Sequence, residues 1–308
     1  MGNNESVTSP TIPSPDRSAE QPVRASELVR LPDHRFDGPG WERAQLVQVR
    51  MVDQGGGQVP AMAAEGDPVR LVTRTPEQPF DPVRHVVLGT VGEGTIVLDL
   101  LGDAELGLPV RDLLPQLSNV ERDIANAAVA LHAWHQQRHC RQCGGPTVPT
   151  SGGAPQLCQE CGALDFPRTD PAIIVAITDE QDRLLLGHQG TWDNNRYSLL
   201  AGFVEAGESL EQAVFREVFE EAGVRLDRVS YVTSQPWPFP RSLMLGFTAT
   251  ARSQDVEVDG EEITHAAFYT REEVNRAVAD GRMSLPGAPS LGHELIHRWL
   301  AGRLPATS

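Results

Sequence analysis

Glu217, Glu220 and Glu221 follow Arg216 in the stretch GFVEAGESLEQAVFREVFEEAGV, residues 202–224. On a helix of 3.6 residues per turn these three carboxylates share one face. A glycine-containing loop, Gly202 to Glu208, leads into that helix. Clustered carboxylates are oxygen ligands for hard divalent cations such as Mg²⁺ and Mn²⁺, which commonly share their shell with substrate phosphates. A solvated acidic helix face is the simpler reading of a charge run. The fixed glycines and the arginine argue against it.

A second set of ligands is made of sulfur. All four cysteines fall in one segment, as Cys140-x2-Cys143 and Cys158-x2-Cys161, each pair followed by glycine. Paired thiolate knuckles suit tetrahedral Zn²⁺, and four of them close the coordination sphere, so the ion is structural. Two disulfides or a redox pair are the alternatives, and the absence of a secretion signal weakens the disulfide reading. The nearby His132, His135 and His139 read as an amphipathic helix end.

The elements that must position these groups follow from periodicity and caps. Residues 25–137 read as an α/β unit with strands at Ala44–Val52, Val69–Thr73 and His85–Leu101, the last turning at Gly92-Glu93-Gly94. A helix starts at Ser118 with Glu121 completing a capping box. Downstream, AIIVAIT (Ala172–Thr178) reads as a buried strand, Arg183–His188 as its hairpin partner, and Tyr197–Leu200 as the lead into the Gly202 loop. Ser209 and Gln212 cap the acidic helix and Gly223 stops it. Leu210, Ala213 and Val214 lie in the sector of the glutamates, one turn or more earlier. Phe215 and Phe219 face the other way. Both faces are therefore expected to be covered, as in a helix held between sheets. Strands at Ser230–Thr233, Leu243–Ala251 and Thr264–Tyr269 and a helix at Leu291–Leu300 complete the pattern.

Residues 234–242 read SQPWPFPRS, beginning thirteen residues after Glu221. Three prolines stiffen the segment into an extended shape, so its aromatic side chains are preset. A strand following the acidic helix would carry it beside the cation cage.

The stretch from Gly202 resembles the Nudix box, G-x5-E-x7-R-E-U-x-E-E-x-G-U with U aliphatic, at every fixed position: Gly202, Glu208, Arg216, Glu217, Val218, Glu220, Glu221, Gly223 and Val224. A chance match is on the order of 10⁻⁸ or less per starting position. SQPWPFP resembles the mark of the NADH pyrophosphatase branch of that superfamily. So does the order of N-terminal domain, zinc ribbon and Nudix domain. The resemblance implies an α/β (α+β) fold with a C-terminal Nudix α/β/α sandwich, a four-cysteine zinc ribbon and an N-terminal α/β domain. The corresponding boundaries are a disordered segment at 1–24, then 25–137, 138–167 and 168–300, with a tail at 301–308. It implies hydrolysis of the pyrophosphate of NADH and NAD⁺ to AMP and nicotinamide mononucleotide, activity on NAD-capped RNA, use of Mg²⁺ or Mn²⁺, and a homodimer.

Residue by residue, the resemblance assigns the catalytic cations to Glu217, Glu221 and Glu262, with the Ala201 carbonyl and help from Glu220. Arg216 orients a carboxylate. The substrate is lined by Gln235, Pro236, Trp237, Pro238, Phe239, Pro240, Arg241 and Ser242, with Gly292 nearby. Phe203 stacks on the nicotinamide, and Phe166 of a partner chain covers its other face. Two positions depart from the family: Phe166 stands where a tyrosine is common, and Arg241 where some members carry glutamine.

Composition narrows the class further. All 26 basic residues are arginine, which rules out a Schiff-base or P-loop lysine. The net charge of −16 does not attract polyanions non-specifically, so a phosphate-rich substrate must be held locally. No apolar run reaches the roughly 20 residues of a membrane span, and the N-terminus lacks the apolar core of a signal peptide, so a cytoplasmic protein is expected. Two rivals stand beside the main reading. One is a diphosphohydrolase for ADP-ribose, diadenosine polyphosphates or nucleoside triphosphates. The other is a nucleic-acid-binding zinc-ribbon protein with a silent catalytic fold.

Overall fold

The computed structural model describes residues 25–30, 40–101, 107–150, 153–193 and 195–307. The expectation of disorder for 1–24 falls outside them. The chain forms two compact units: residues 24–169 with 236–242, and residues 170–235 with 243–308.

In the first unit, β1 (Gln45–Gln48) and β2 (Arg50–Gln54) replace the single strand expected over 44–52. They serve different sheets. β2 forms a hairpin with β3 (Gly57–Met62) through Gly55 and Gly56, both at positive φ. A short pair follows, β4 (Ala64–Glu65) with β5 (Arg70–Leu71). β6 (His85–Val91) and β7 (Gly94–Asp99) form the expected hairpin, and β7 pairs in parallel with β1. β8 (Leu108–Pro109) joins β3 and leads into α1 (Val110–Leu113). α2 (Asn119–His135) carries the expected capping box of Ser118 and Glu121. Its Ile124, Ala128 and Leu131 share a core with Val86, Leu88 and Leu98 of the hairpin. The cysteine segment adds β9 (Thr147–Pro149), β10 (Gln156–Cys158) and β11 (Leu164–Asp165), in the order β11-β10-β9.

The second unit is built on one six-stranded sheet. β12 (Asp170–Thr178), β13 (Leu184–Gln189), β14 (Leu200–Phe203), β15 (Leu226–Trp237), β16 (Ser242–Ala251) and β17 (Ile263–Tyr269) order as β15-β16-β12-β13-β17, with β14 also paired to β12. Alternate residues of β12 point into different cores. Ile173, Val175 and Ile177 pack with Ala213, Val214 and Val218 of α3 (Leu210–Ala222). Ile174 and Ala176 pack with Val274 and Ala277 of α4 (Arg271–Ala279) and with Leu291, Leu295, Ile296 and Trp299 of α5 (Leu291–Leu300). Both faces of the sheet are thus apolar, which is why β12 reads as an unbroken hydrophobic run.

This corrects the expectation for the acidic helix. The sheet lies between helices, and α3 buries one face only. Phe215 and Phe219 remain 43% and 48% exposed, with the Arg225 guanidinium 4.9 Å from the Phe219 ring centre. Among the described residues no helix is long and apolar enough to cross a membrane.

Candidate active site and metal centres

α3 presents its carboxylates where β14 ends. Its start is held by the reciprocal capping box of Ser209 and Gln212, and its end by Gly223 in the left-handed region at φ 66°. Glu221 is 4% exposed, and its Oε2 has no hydrogen-bond partner. Burial, then the charges of Glu217, Glu262, Asp259 and Glu220, push its carboxyl up to about 8. Burial also raises Glu217. A buried carboxylate oxygen with no donor, facing further carboxylates, lacks only positive charge. The donor set therefore fits a divalent cation.

Gly202 shows how tightly the cage is drawn. A Cβ there would lie 2.0 Å from Cδ of Glu217, so any larger residue would push that carboxylate out of its place. Ala201 precedes it on β14, in register with Ile174 of β12. Glu262 sits immediately before β17, and Gln189 Nε2 donates to its Oε1 at 3.5 Å. The Glu220 side chain is 59% exposed.

Arg216 makes no isolated charge. Its Nε and Nη2 donate to the two oxygens of Glu208 at 2.6 and 2.9 Å, and Nη2 also donates to the Phe203 carbonyl. Nη1 reaches Glu217 Oε1 at 2.9 Å and Glu220 Oε2 at 3.0 Å. The fork of one guanidinium thus ties the loop to the helix. The Glu208 carboxyl is held down to about 2, chiefly by its hydrogen bond to Arg216. Arg216 is an organiser of carboxylates, as its position before Glu217 suggests.

The proline segment is not extended throughout. β15 runs on to Trp237, a turn occupies Pro238 to Arg241, and β16 starts at Ser242. Gln235 is buried. Its amide donates to the Pro289 carbonyl, and its Oε1 accepts from Leu291 N at 2.8 Å. Both amide atoms are spent on seating the start of α5. Gly292 on that helix is also a packing position: a Cβ would meet Ile174 at 3.3 Å and Ser198 Oγ at 3.4 Å.

In the first unit, Phe239 packs against the core, and the rings of Trp237 and Phe239 meet edge-on at 5.1 Å. Arg111 of α1 lies 5.2 Å from the Trp237 ring centre and 5.4 Å from that of Phe239. Pro238 and Ser242 are buried, Pro236 and Pro240 exposed, and Arg241 half-buried. Sequence reading missed Arg111, because nothing local marks an arginine more than 120 residues away as a neighbour of the segment. Phe166 and Phe203 are each exposed on their own units, at 51% and 58%.

The four thiols gather as their spacing requires. Ligand atoms of Cys140, Cys143, Cys158 and Cys161 all lie within 4.8 Å of one another, with Sγ···Sγ distances of 3.7 Å (Cys140 to Cys161) and 3.5 Å (Cys143 to Cys158). Sulfurs about 2.3 Å from a tetrahedral ion stand about 3.8 Å apart, whereas a disulfide needs about 2.05 Å. Gly144 and Gly162, after each knuckle, adopt φ +76° and +74°. Backbone N–H groups of Gln142, Gly145 and Cys161 point at Cys140, Cys143 and Cys158 at 3.4 Å. The geometry fits zinc. His132 and His135 are buried side chains of α2 rather than further ligands, and burial pushes His135 down to about 4.

The family model of the NUDIX domain matches residues 168–286. Among curated proteins, the chain is 37% identical over 239 residues to the NAD-capped RNA hydrolase NudC of Mycobacterium bovis, covering 71% of this chain and 76% of that one. The same identity and coverage hold for NudC of Mycobacterium tuberculosis. The NAD-capped RNA hydrolase NUDT12 of Homo sapiens is 37% identical over 205 residues, covering 62% of this chain and 44% of its own. The chain belongs to the NudC-type branch of the Nudix family.

In this Nudix protein one further motif has a bland explanation. His293 to His297 spell H-E-L-I-H on α5, the spacing of a zinc protease. The two imidazole centres lie 4.0 Å apart, their planes tilted by 38°. The glutamate between them is buried and paired with Arg298 at 2.5 Å, and His293 Nδ1 is bonded to the Pro286 carbonyl. Glu294 is spent on the fold of the Nudix unit and cannot serve as a base there.

Proposed function

We propose that this Nudix enzyme hydrolyses the pyrophosphate bond of NADH and NAD⁺, releasing AMP and nicotinamide mononucleotide, and removes NAD caps from RNA 5′ ends. The observation that carries the reading is the buried, unpartnered carboxylate of Glu221 on the acidic face of α3. The printed activity of the NudC and NUDT12 relatives supports the substrate.

Mg²⁺ or Mn²⁺, bound by Glu217, Glu221 and Glu262 with the Ala201 carbonyl and Glu220, would neutralise the pyrophosphate and acidify an attacking water. Glu221 is the residue best placed to take the proton of that water. The water oxygen bonds to one phosphorus, the bridging P–O bond breaks, and the leaving mononucleotide carries the bridging oxygen away. Clustered carboxylates share protons, so ligand and base roles are distributed over Glu217, Glu220 and Glu221. Arg216 holds Glu217 and Glu220 in place.

The family resemblance supports substrate contacts along Pro236 to Ser242. Phe203 and Phe166 offer exposed rings for the nicotinamide, Phe166 coming from the second chain of a homodimer. Phe203→Ala and Phe166→Ala should therefore raise KM for NADH far more than for ADP-ribose, which has no nicotinamide. A stacking loss of about 1–3 kcal/mol per ring sets the scale. Steady-state kinetics on both substrates make the comparison, and equal losses on the two would remove the rings from recognition.

We also propose one structural Zn²⁺ per chain on the four cysteines, and a cytoplasmic setting that keeps the thiols reduced. Cys158→Ser should lower melting temperature and zinc content before it alters kcat. Elemental analysis of protein from reducing cells checks it, and four thiols without zinc would refute the site.

A further inference from the structure

Glu262 is the cation ligand with the least regular support. It lies at the end of residues 252–262, which contain no helix or strand, one residue before β17. Ligands on α3 inherit their direction from the helix. Glu262 needs another device.

That device is Asp259. Its Oδ1 accepts from the backbone N–H of Ile263 at 2.9 Å and of Glu261 at 3.3 Å, and its Oδ2 accepts from the N–H of Glu262 itself at 3.2 Å. Gly260, at φ +74°, lets the chain turn back so that its N–H meets the Ile263 carbonyl at 3.1 Å. One carboxylate thus gathers three successive donors and folds 259–263 into a closed loop. On the opposite side, Gly190 N donates to the Glu262 carbonyl at 3.4 Å and Gln189 donates to its carboxylate. These contacts fall where the pairing of β13 with β17 shifts register, between His188 and Gln189. Glu262 is held from both sides at a bulge, the usual place for a sheet to re-aim a side chain.

We propose that Asp259 is a positioning residue for the catalytic cations, folding the 259–263 loop so that the Glu262 carboxylate joins Glu217 and Glu221. The proposal rests on the reading of this cage as a divalent-cation site. It does not depend on which dinucleotide is cleaved. Asp259 acts through Glu262, and its carboxylate is occupied by backbone donors.

The test is Mn²⁺ binding to the full-length protein without substrate, followed by the EPR signal of free Mn²⁺. Asp259→Ala should weaken Mn²⁺ binding about 10- to 100-fold, the range for losing a partner that orients a metal ligand. Asp259→Asn keeps acceptor capacity on one oxygen and should fall between that variant and wild type. Glu262→Gln should weaken binding at least as much as Asp259→Ala. The double variant Asp259→Ala/Glu262→Gln should bind no more weakly than Glu262→Gln alone, because both changes remove one ligand. Wild-type affinity in Asp259→Ala would overturn the proposal, as would losses that add in the double variant. A wild type that binds Mn²⁺ yet leaves NADH intact would instead overturn the substrate reading and leave Asp259 standing.

Discussion

Glu221→Gln is expected to keep the fold and to lower kcat/KM for NADH by at least about 10²-fold at saturating Mn²⁺, the scale of a lost general base. Glutamine preserves the shape of a side chain that is only 4% exposed. It removes the charge that a cation or a proton requires. The same variant has a second signature. With the folded carboxyl pushed up to about 8, against an ordinary value of about 4.3, the folded state binds the proton more tightly than the unfolded one. Its contribution to stability is fully present below the ordinary value and is lost as pH rises through the folded one. The cation-free wild type should therefore lose melting temperature between about pH 5 and pH 8. Glu221→Gln should flatten that slope, and added Mn²⁺ should restore the wild type at the upper end. Near-normal turnover, or identical pH slopes in the two proteins, would contradict the role.

Gly202→Ala should be nearly as damaging to chemistry. The new Cβ would stand 2.0 Å from Cδ of Glu217, so that carboxylate must leave its place. Displacing a reacting or ligating group by about 1 Å can cost about 10²-fold, and that is the loss expected in kcat/KM. The backbone at Gly202 is ordinary strand, so circular dichroism should stay close to wild type. Gly207→Ala is the contrasting control. Gly207 has φ +96° and open space around its Cα, so alanine there strains the loop without touching a carboxylate. It should cost stability rather than Mn²⁺ affinity. If Gly202→Ala keeps full activity, the close approach of β14 to Glu217 has no catalytic meaning.

Legibility of the fold varied with how local its causes are. The acidic helix was readable because a capping box, a left-handed glycine stop and the carboxylate spacing all lie within residues 209–223. The four-cysteine cluster was readable for the same reason. α5, expected over roughly Leu291–Leu300, spans those residues. Missed elements depend on distant partners. The run 44–52 breaks because β1 takes the distant β7 while β2 folds back on the adjacent β3. α4 has its own capping box, Thr270 with Glu273, yet its polar sequence hides a face only two residues deep, Val274 and Ala277. Phe215 and Phe219 were assigned to a covered face because periodicity reports which residues align, not what lies opposite them. The box glutamates are marked by motif, and Glu262 by the family resemblance. Asp259 and Arg111 are not: the first acts through backbone donors, the second through rings that a long stretch of chain separates from it.

The central claim is a cation-dependent cut at the pyrophosphate of an NAD-type dinucleotide. The most direct measurement incubates the pure protein, with Mn²⁺ and then with chelator, on NADH, NAD-capped RNA and ADP-ribose, and identifies products by mass. The account predicts AMP and reduced nicotinamide mononucleotide from NADH, 5′-monophosphate RNA from the capped transcript, a lower kcat/KM on ADP-ribose, and no products with chelator. Cleavage of ADP-ribose with NADH and capped RNA left intact, or products that persist in chelator, would contradict it.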